Sequence, residues 1–266
     1  MQTTRSASVS SNLDRLHSGS VLARNSVLNV GVSVAPMVVA LVAIPVLLSQ
    51  LGPARFGILS LAWTVVGYFG LLDIGLGRSL THMVSVRLGD GRSYEVPGLV
   101  WTGLSLLLAF GLIGSLGTWL ISPILVQDVL RIPVGLQAES VAAFQILSVS
   151  IPLVIVSAGL KGVLEAEQRF GSIALVQLPS AVLLLVAPIL VLPFSHRVDA
   201  LVAAMLLVRL GGLLALGVTV FRVIPALRTR PRFVSGETRK LMSFGGWLTV
   251  SNIVSPIMVY IDRFAI

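Results

Sequence analysis

Cysteine is absent from the 266 residues, which excludes disulfides and thiolate metal sites. Histidine is nearly as scarce. His17, His82 and His196 stand far apart, so no imidazole cluster offers a metal site and no cofactor is expected. Charge is the third shortage: Asp, Glu, Lys and Arg make up 11% of the chain, against about 25% in an ordinary soluble domain. What fills the chain instead is apolar, with 55% hydrophobic residues and a mean hydropathy of +0.96. A water-soluble fold of this size cannot hide that much apolar side chain, so lipid must be the solvent for part of it. The net charge of +8 would suggest nucleic acid in a soluble protein. Here the basic residues lie between long apolar runs. The expected partner is therefore the anionic lipid of an inner leaflet, with no nucleic acid.

A helix needs about 20 apolar residues to cross the hydrocarbon core. Seven stretches qualify: 25–51, 56–77, 98–121, 141–163, 172–194, 200–221 and 243–266. Alternating ten-residue strands, the mark of a barrel, are absent. The expected fold class is thus an all-α polytopic membrane protein of about seven transmembrane helices. Fourteen of the 19 Lys and Arg fall at the N-terminus or in the second-to-third, fourth-to-fifth and sixth-to-seventh connections. Arg55, Arg131, Arg197 and Arg263 fall on the other side, and Arg209 lies within a span. The positive-inside rule puts the fourteen, and the N-terminus, on the cytoplasmic side of an inner membrane. Short loops leave no room for a sizeable soluble domain. The polar, serine-rich residues 1–24 read as a cytoplasmic tail, and the apolar run after them is too long for a cleaved signal peptide.

Spans one and seven point the same way and share a pattern. Val34-Ala35-Pro36-Met37-Val38-Val39 matches Val254-Ser255-Pro256-Ile257-Met258-Val259 in type and order. This suggests a parallel repeat of six helices. The division is then a six-helix lobe over 25–222, a basic cytoplasmic loop over 223–242, and the first helix of a second, incomplete lobe over 243–266. Pro36, Pro45, Pro152, Pro179, Pro188 and Pro256 lie inside spans, as packing kinks or as hinges. Gly111, Gly114 and Gly117, and the pair Gly211 and Ala215, read as close-packing positions.

Ionisable residues at membrane depth are expensive and carry a functional hypothesis. Arg209 is the strongest case. It sits roughly 14 Å into its span at 1.5 Å per residue, with no acid within a turn or two on its own helix. It either pairs with another helix for packing or lines a wet cavity and attracts an anionic head group, to whose phosphate oxygens a guanidinium fork is suited. Asp73 and Arg78 are five residues apart, about 140° around a helix, so they do not face each other. Asp73 reads as a cap or as the partner of a neighbouring loop. Asp262 and Arg263 form an interfacial pair or the rim of a cavity, and Asn252 bonds across to another helix or meets substrate. Asp73, Arg78, Asp262 and Arg263 are the candidates for an intramembrane charge or gating role.

Several stretches together resemble one family. They are Leu51-Gly52-Pro53-Ala54-Arg55-Phe56-Gly57, Leu72-Asp73-Ile74-Gly75-Leu76-Gly77, Gly162-Val163-Leu164-Glu165-Ala166-Glu167-Gln168-Arg169-Phe170, Phe244-Gly245-Gly246-Trp247 and Asp262-Arg263-Phe264. Their order and helix positions resemble polysaccharide biosynthesis and O-antigen (Wzx-type) flippases, of the multidrug/oligosaccharidyl-lipid/polysaccharide exporter superfamily. The resemblance implies two six-helix lobes around a central cavity and alternating access by rocking. The cargo it implies is an undecaprenyl-pyrophosphate-linked oligosaccharide, with polysaccharide polymerase and glycosyltransferases as neighbours. Flippases of this kind tend to line the cavity with cations, which Arg209 would match. A complete one should continue beyond the seventh helix, so the chain reads as an N-terminal fragment. Three other readings compete. A cation-coupled multidrug exporter of the same superfamily would need carboxylates in the lobe. A membrane-embedded glycosyltransferase or polymerase would need catalytic acids on larger loops. The last is a non-transporting membrane scaffold.

Overall fold

A computed structural model describes residues 19–71 and 75–228, together with 238, 241–243 and 245. Among them there are six long or medium helices and no strand. These are α1 (Gly19–Leu71), α2 (Leu76–Gly89), α3 (Val96–Ile124), α4 (Val134–Ala166), α5 (Phe170–Val191) and α6 (Val198–Val223). Five runs are long and apolar enough to cross a membrane: Val34–Val65, Ser93–Val129, Val134–Ala166, Phe170–Val191 and Val198–Val223. The chain is a multi-pass, all-helical membrane protein.

The first two expected spans are the two arms of α1. They meet at Gly52, whose φ of 74° and ψ of 167° are non-helical. That region is essentially reserved for glycine, and Pro53, with its fixed φ and missing N–H, suits the first position of the second arm. Pro36 and Pro45 interrupt no helical dihedral in α1, and Pro152, Pro179 and Pro188 likewise lie inside continuous helices. Apart from Ser243 and Gly245, the seventh expected span, with Pro256, lies outside the described residues.

Residues 78–89 are expected as part of a loop after the second span. They form α2 instead, which is a correction. Leu76, Leu80 and Val84 are fully buried at helical spacing, and that apolar stripe docks the short helix on α3 and α4. Gly162 of α4 makes the approach possible, because a Cβ there would sit 2.4 Å from Thr81 Oγ1 and 3.0 Å from the carbonyl oxygen of Gly77. Arg87 then donates from Nε to Glu95 across the connection to α3, at 3.0 Å.

Two apolar clusters stack along the bundle. One gathers Leu80, Leu99, Leu107, Ile151, Leu164 and Val220 towards the Arg87 end. The other gathers Leu47, Leu59, Phe144, Leu147, Leu201 and Met205 towards the Gly52 end. Gly111 lets α3 touch α4, since a Cβ there would lie 2.6 Å from Pro152 Cα. Gly117 faces open space, and so does Gly211. The close glycine on α6 is its neighbour Gly212, which meets Ser180 of α5, so the expected Gly211 packing position is off by one residue.

The exterior is apolar. Met37, Leu41 and Val42 on α1 are exposed, as are Leu108, Leu112, Leu116 and Leu120 on α3 and Leu207, Leu210, Leu214 and Val218 on α6. Such stripes fit hydrocarbon and not water. Hydroxyls inside the helices turn inward on their own backbone. Thr102 donates to Gly98 O at 2.8 Å and Thr219 to Ala215 O at 2.7 Å. That satisfies them where water is scarce.

The Gly52 end is closed by a buried carboxylate. Glu139, near the start of α4, has a side chain only 10% exposed. Arg55, just past the Gly52 break, donates to it from Nε and Nη2, both at 3.3 Å. The backbone N–H of Val198, the first residue of α6, donates to it as well. One acid thus satisfies an unpaired amide of a helix start and holds three elements together.

Candidate functional site: a cationic cleft between α4, α5 and α6

Although consecutive in the chain, α4 and α5 pack against α6 far more than against each other. The gap between them, floored by α6, is a cavity of about 420 Å³. Each helix presents one face to it. From α4 come Leu153, Ser157 and Lys161, spaced by four. From α5 come Gln177, Ser180 and Leu184, and from α6 Arg209, Gly212, Leu213 and Leu216. These spacings bring side chains to the same side of a 3.6-residue turn. Gly212 keeps α6 close to α5 at Ser180, whose hydroxyl donates to Val176 O at 2.7 Å.

Arg209 is therefore where the cavity is. It lies roughly 16 Å from the start of a helix about 38 Å long, half-buried, and no Asp or Glu among the described residues forms an ion pair with it. The bland alternative, a purely structural ion pair, has no partner among those residues. Arg78 does not join it. It is exposed on the first turn of α2 and outside the cavity lining. Asp73, Asn252, Asp262 and Arg263 lie outside the described residues, so the expected gating and substrate roles for them stand as proposals.

Lys161 is the residue that sequence reasoning misplaced. Counted among the connections between spans, it belongs to α4, which continues to Ala166, and it lines the same cavity as Arg209. Its Nζ lies 3.5 Å from Glu165 Oε1, one turn further along. Ser157, Gln177 and Ser180 were also missed. The signal for Ser157 was the four-residue beat Leu153, Ser157, Lys161, which puts two polar groups on one face. For Gln177 and Ser180 it was their three-residue spacing within an otherwise apolar stretch of helix. Two cations and three neutral hydrogen-bonding groups, set among leucines and valines, can hold an anion and polar hydroxyls.

The comparisons with known proteins agree with this architecture. The family model described as polysaccharide biosynthesis protein matches residues 22–266. A Shigella flexneri protein named for O-antigen transport is 30% identical over 243 residues, which are 91% of this chain and 57% of that protein. A MOP superfamily transporter from Pyrococcus furiosus superposes with a TM-score of 0.67 at 15% identity, over 88% of this chain and 52% of that one. A MATE transporter solved in complex with MaD3S superposes with a TM-score of 0.68 at 15% identity, over 86% and 53%. This chain spans just over half the length of each of these relatives. The fold is that of the MOP superfamily transporters, and with the family match running from residue 22 to residue 266, the chain belongs to the polysaccharide biosynthesis protein family.

Proposed function

We propose that this chain is the N-terminal part of a transporter that moves a lipid-linked oligosaccharide across the bacterial inner membrane for surface polysaccharide assembly. The cargo is a sugar chain on undecaprenyl pyrophosphate, moved by alternating access between a six-helix lobe over 25–222 and a second lobe that begins near residue 243. The observation that carries this reading is the cleft. Its lining holds Lys161 and Arg209 and no Asp or Glu. A pyrophosphate finds cations there, sugar hydroxyls find Ser157, Gln177 and Ser180, and the apolar flanks around Arg209 keep its charge in a medium where it acts more strongly than in open water. The basic Arg87 end faces the cytoplasm in this reading, where the cargo is made, in keeping with the charge asymmetry along the chain. Polymerase and glycosyltransferase partners belong to the same proposal.

The named relatives are transporters rather than enzymes, which leaves a membrane-embedded glycosyltransferase without support. A drug exporter shares the fold, but a cationic drug calls for carboxylates, and this lining offers the opposite charge. For the Pyrococcus furiosus transporter, reversed polarity of the binding pocket suggested a different function. Unchanged drug susceptibility on deletion of the gene is the expected outcome here.

The test is Arg209→Ala in the whole protein, reconstituted with a pyrophosphate-linked oligosaccharide. Loss of a charged hydrogen-bonding group is worth about 1.5–3 kcal/mol. Translocation should therefore fall at least about tenfold with expression and insertion intact, and Arg209→Lys should retain part of it. Undiminished translocation would remove Arg209 from the mechanism.

A further inference from the structure

The two cations of the cleft are not equivalent. Arg209 stands midway along α6 without an acidic partner among the described residues, whereas Lys161 already has one. Glu165 lies one helical turn from Lys161 on α4, nearer the Arg87 end. The pair is open to its surroundings, with side chains 38% and 36% exposed. We infer that Glu165 is a built-in competitor for Lys161, setting how tightly the mouth of the cleft holds a pyrophosphate head group. This rests on the transport reading above and adds a regulator to that site.

The physical case is one of matched weakness. An exposed i,i+4 pair contributes little, because water screens it and both side chains lose freedom in forming it. A pyrophosphate carries more charge and more acceptor oxygens than one carboxylate, so it displaces Glu165, and the flexible lysine stem follows it. When the head group leaves, the ammonium returns to Glu165 and is not stranded. Without that carboxylate, the Lys161 ammonium would have no other acceptor on its own helix turn to return to and would hold the anion longer, slowing its departure. A carrier needs binding strong enough to load and weak enough to unload, and dissociation is where most affinity tuning acts.

The test is a binding cycle on the whole protein in nanodiscs, with farnesyl pyrophosphate as probe and four variants: Glu165→Gln, Lys161→Ala, their double variant and Arg209→Ala. Glu165→Gln should tighten binding about threefold, the scale of a weak exposed pair, chiefly through slower dissociation. Lys161→Ala should weaken it, and in that background Glu165→Gln should have no effect. Tightening of equal size in both backgrounds would make Glu165 a mere bulk charge and overturn the inference. No change in either background would overturn it too. If wild type fails to bind the probe, the transport reading falls and takes the inference with it. If Arg209→Ala weakens binding while Glu165→Gln does nothing, only the inference falls. Inorganic pyrophosphate should compete poorly, since it lacks the lipid. Equal competition would assign the cleft to a soluble anion and overturn the head-group assignment.

Discussion

Glu139 is charged and nearly buried, and such a residue persists only if its neighbours answer the charge. Arg55 and the Val198 amide do so from two other elements. Removing the carboxylate leaves a guanidinium and a helix-start N–H without an acceptor. Glu139→Ala should therefore lower stability by about 2 kcal/mol, given that Arg55 itself is partly exposed. Glu139→Gln keeps an acceptor for the amide and should cost about half as much. Thermal unfolding of the purified protein in detergent checks the order, and equal melting temperatures for the three would refute the clasp. This residue was invisible in the sequence. It lies 84 positions from Arg55, and no local spacing links them.

Among elements, the long apolar helices were legible because hydrocarbon imposes a length and a composition that a reader can count. Their ends were less so: α4 runs seven residues earlier and three later than its apolar core, as Val134–Ala166. Lys161 illustrates the reason. A charge tally treats every basic residue near a boundary as a loop residue, yet Leu164, Glu165 and Ala166 are good helix formers and carry the helix on. The α2 helix was hidden for the opposite cause. Arg78, His82 and Arg87 make its average unremarkable, and only the Leu76, Leu80, Val84 stripe betrays it. Its docking on α4 depends on Gly162. Gly162→Ala should push the two helices apart and lower thermal stability by about 1–3 kcal/mol. Adding Thr81→Ala should restore part of the loss, because the nearest obstacle is Thr81 Oγ1 while the Gly77 carbonyl remains. Melting curves of the single and double variants test this, and a double variant no better than the single would place the clash elsewhere.

For the whole molecule, the proposed orientation is open to direct measurement because the chain has no cysteine of its own. Ser93 and His196 are exposed at opposite ends of the bundle. Ser93→Cys should resist a membrane-impermeant maleimide in intact spheroplasts and react after lysis, while His196→Cys should react at once. The reverse result would invert the topology. The family and the all-helical architecture were legible in the sequence through ordered short motifs and apolar run lengths. The cleft was not, because it is an agreement among three helices and belongs to none of them alone.

That cleft has one further consequence through α6. Leu207, Leu210, Leu214 and Val218 are exposed on one side of this helix, and Arg209, Gly212, Leu213 and Leu216 line the cavity on the other. A single helix, about 10 Å across, is the partition between oil and a charged chamber. Inheritance must treat its two sides differently. On the oily side leucine, valine and isoleucine are interchangeable, and drift is nearly free. On the chamber side each position is held by shape or charge. Along α6, then, variation among descendants of this sequence should rise and fall with every turn.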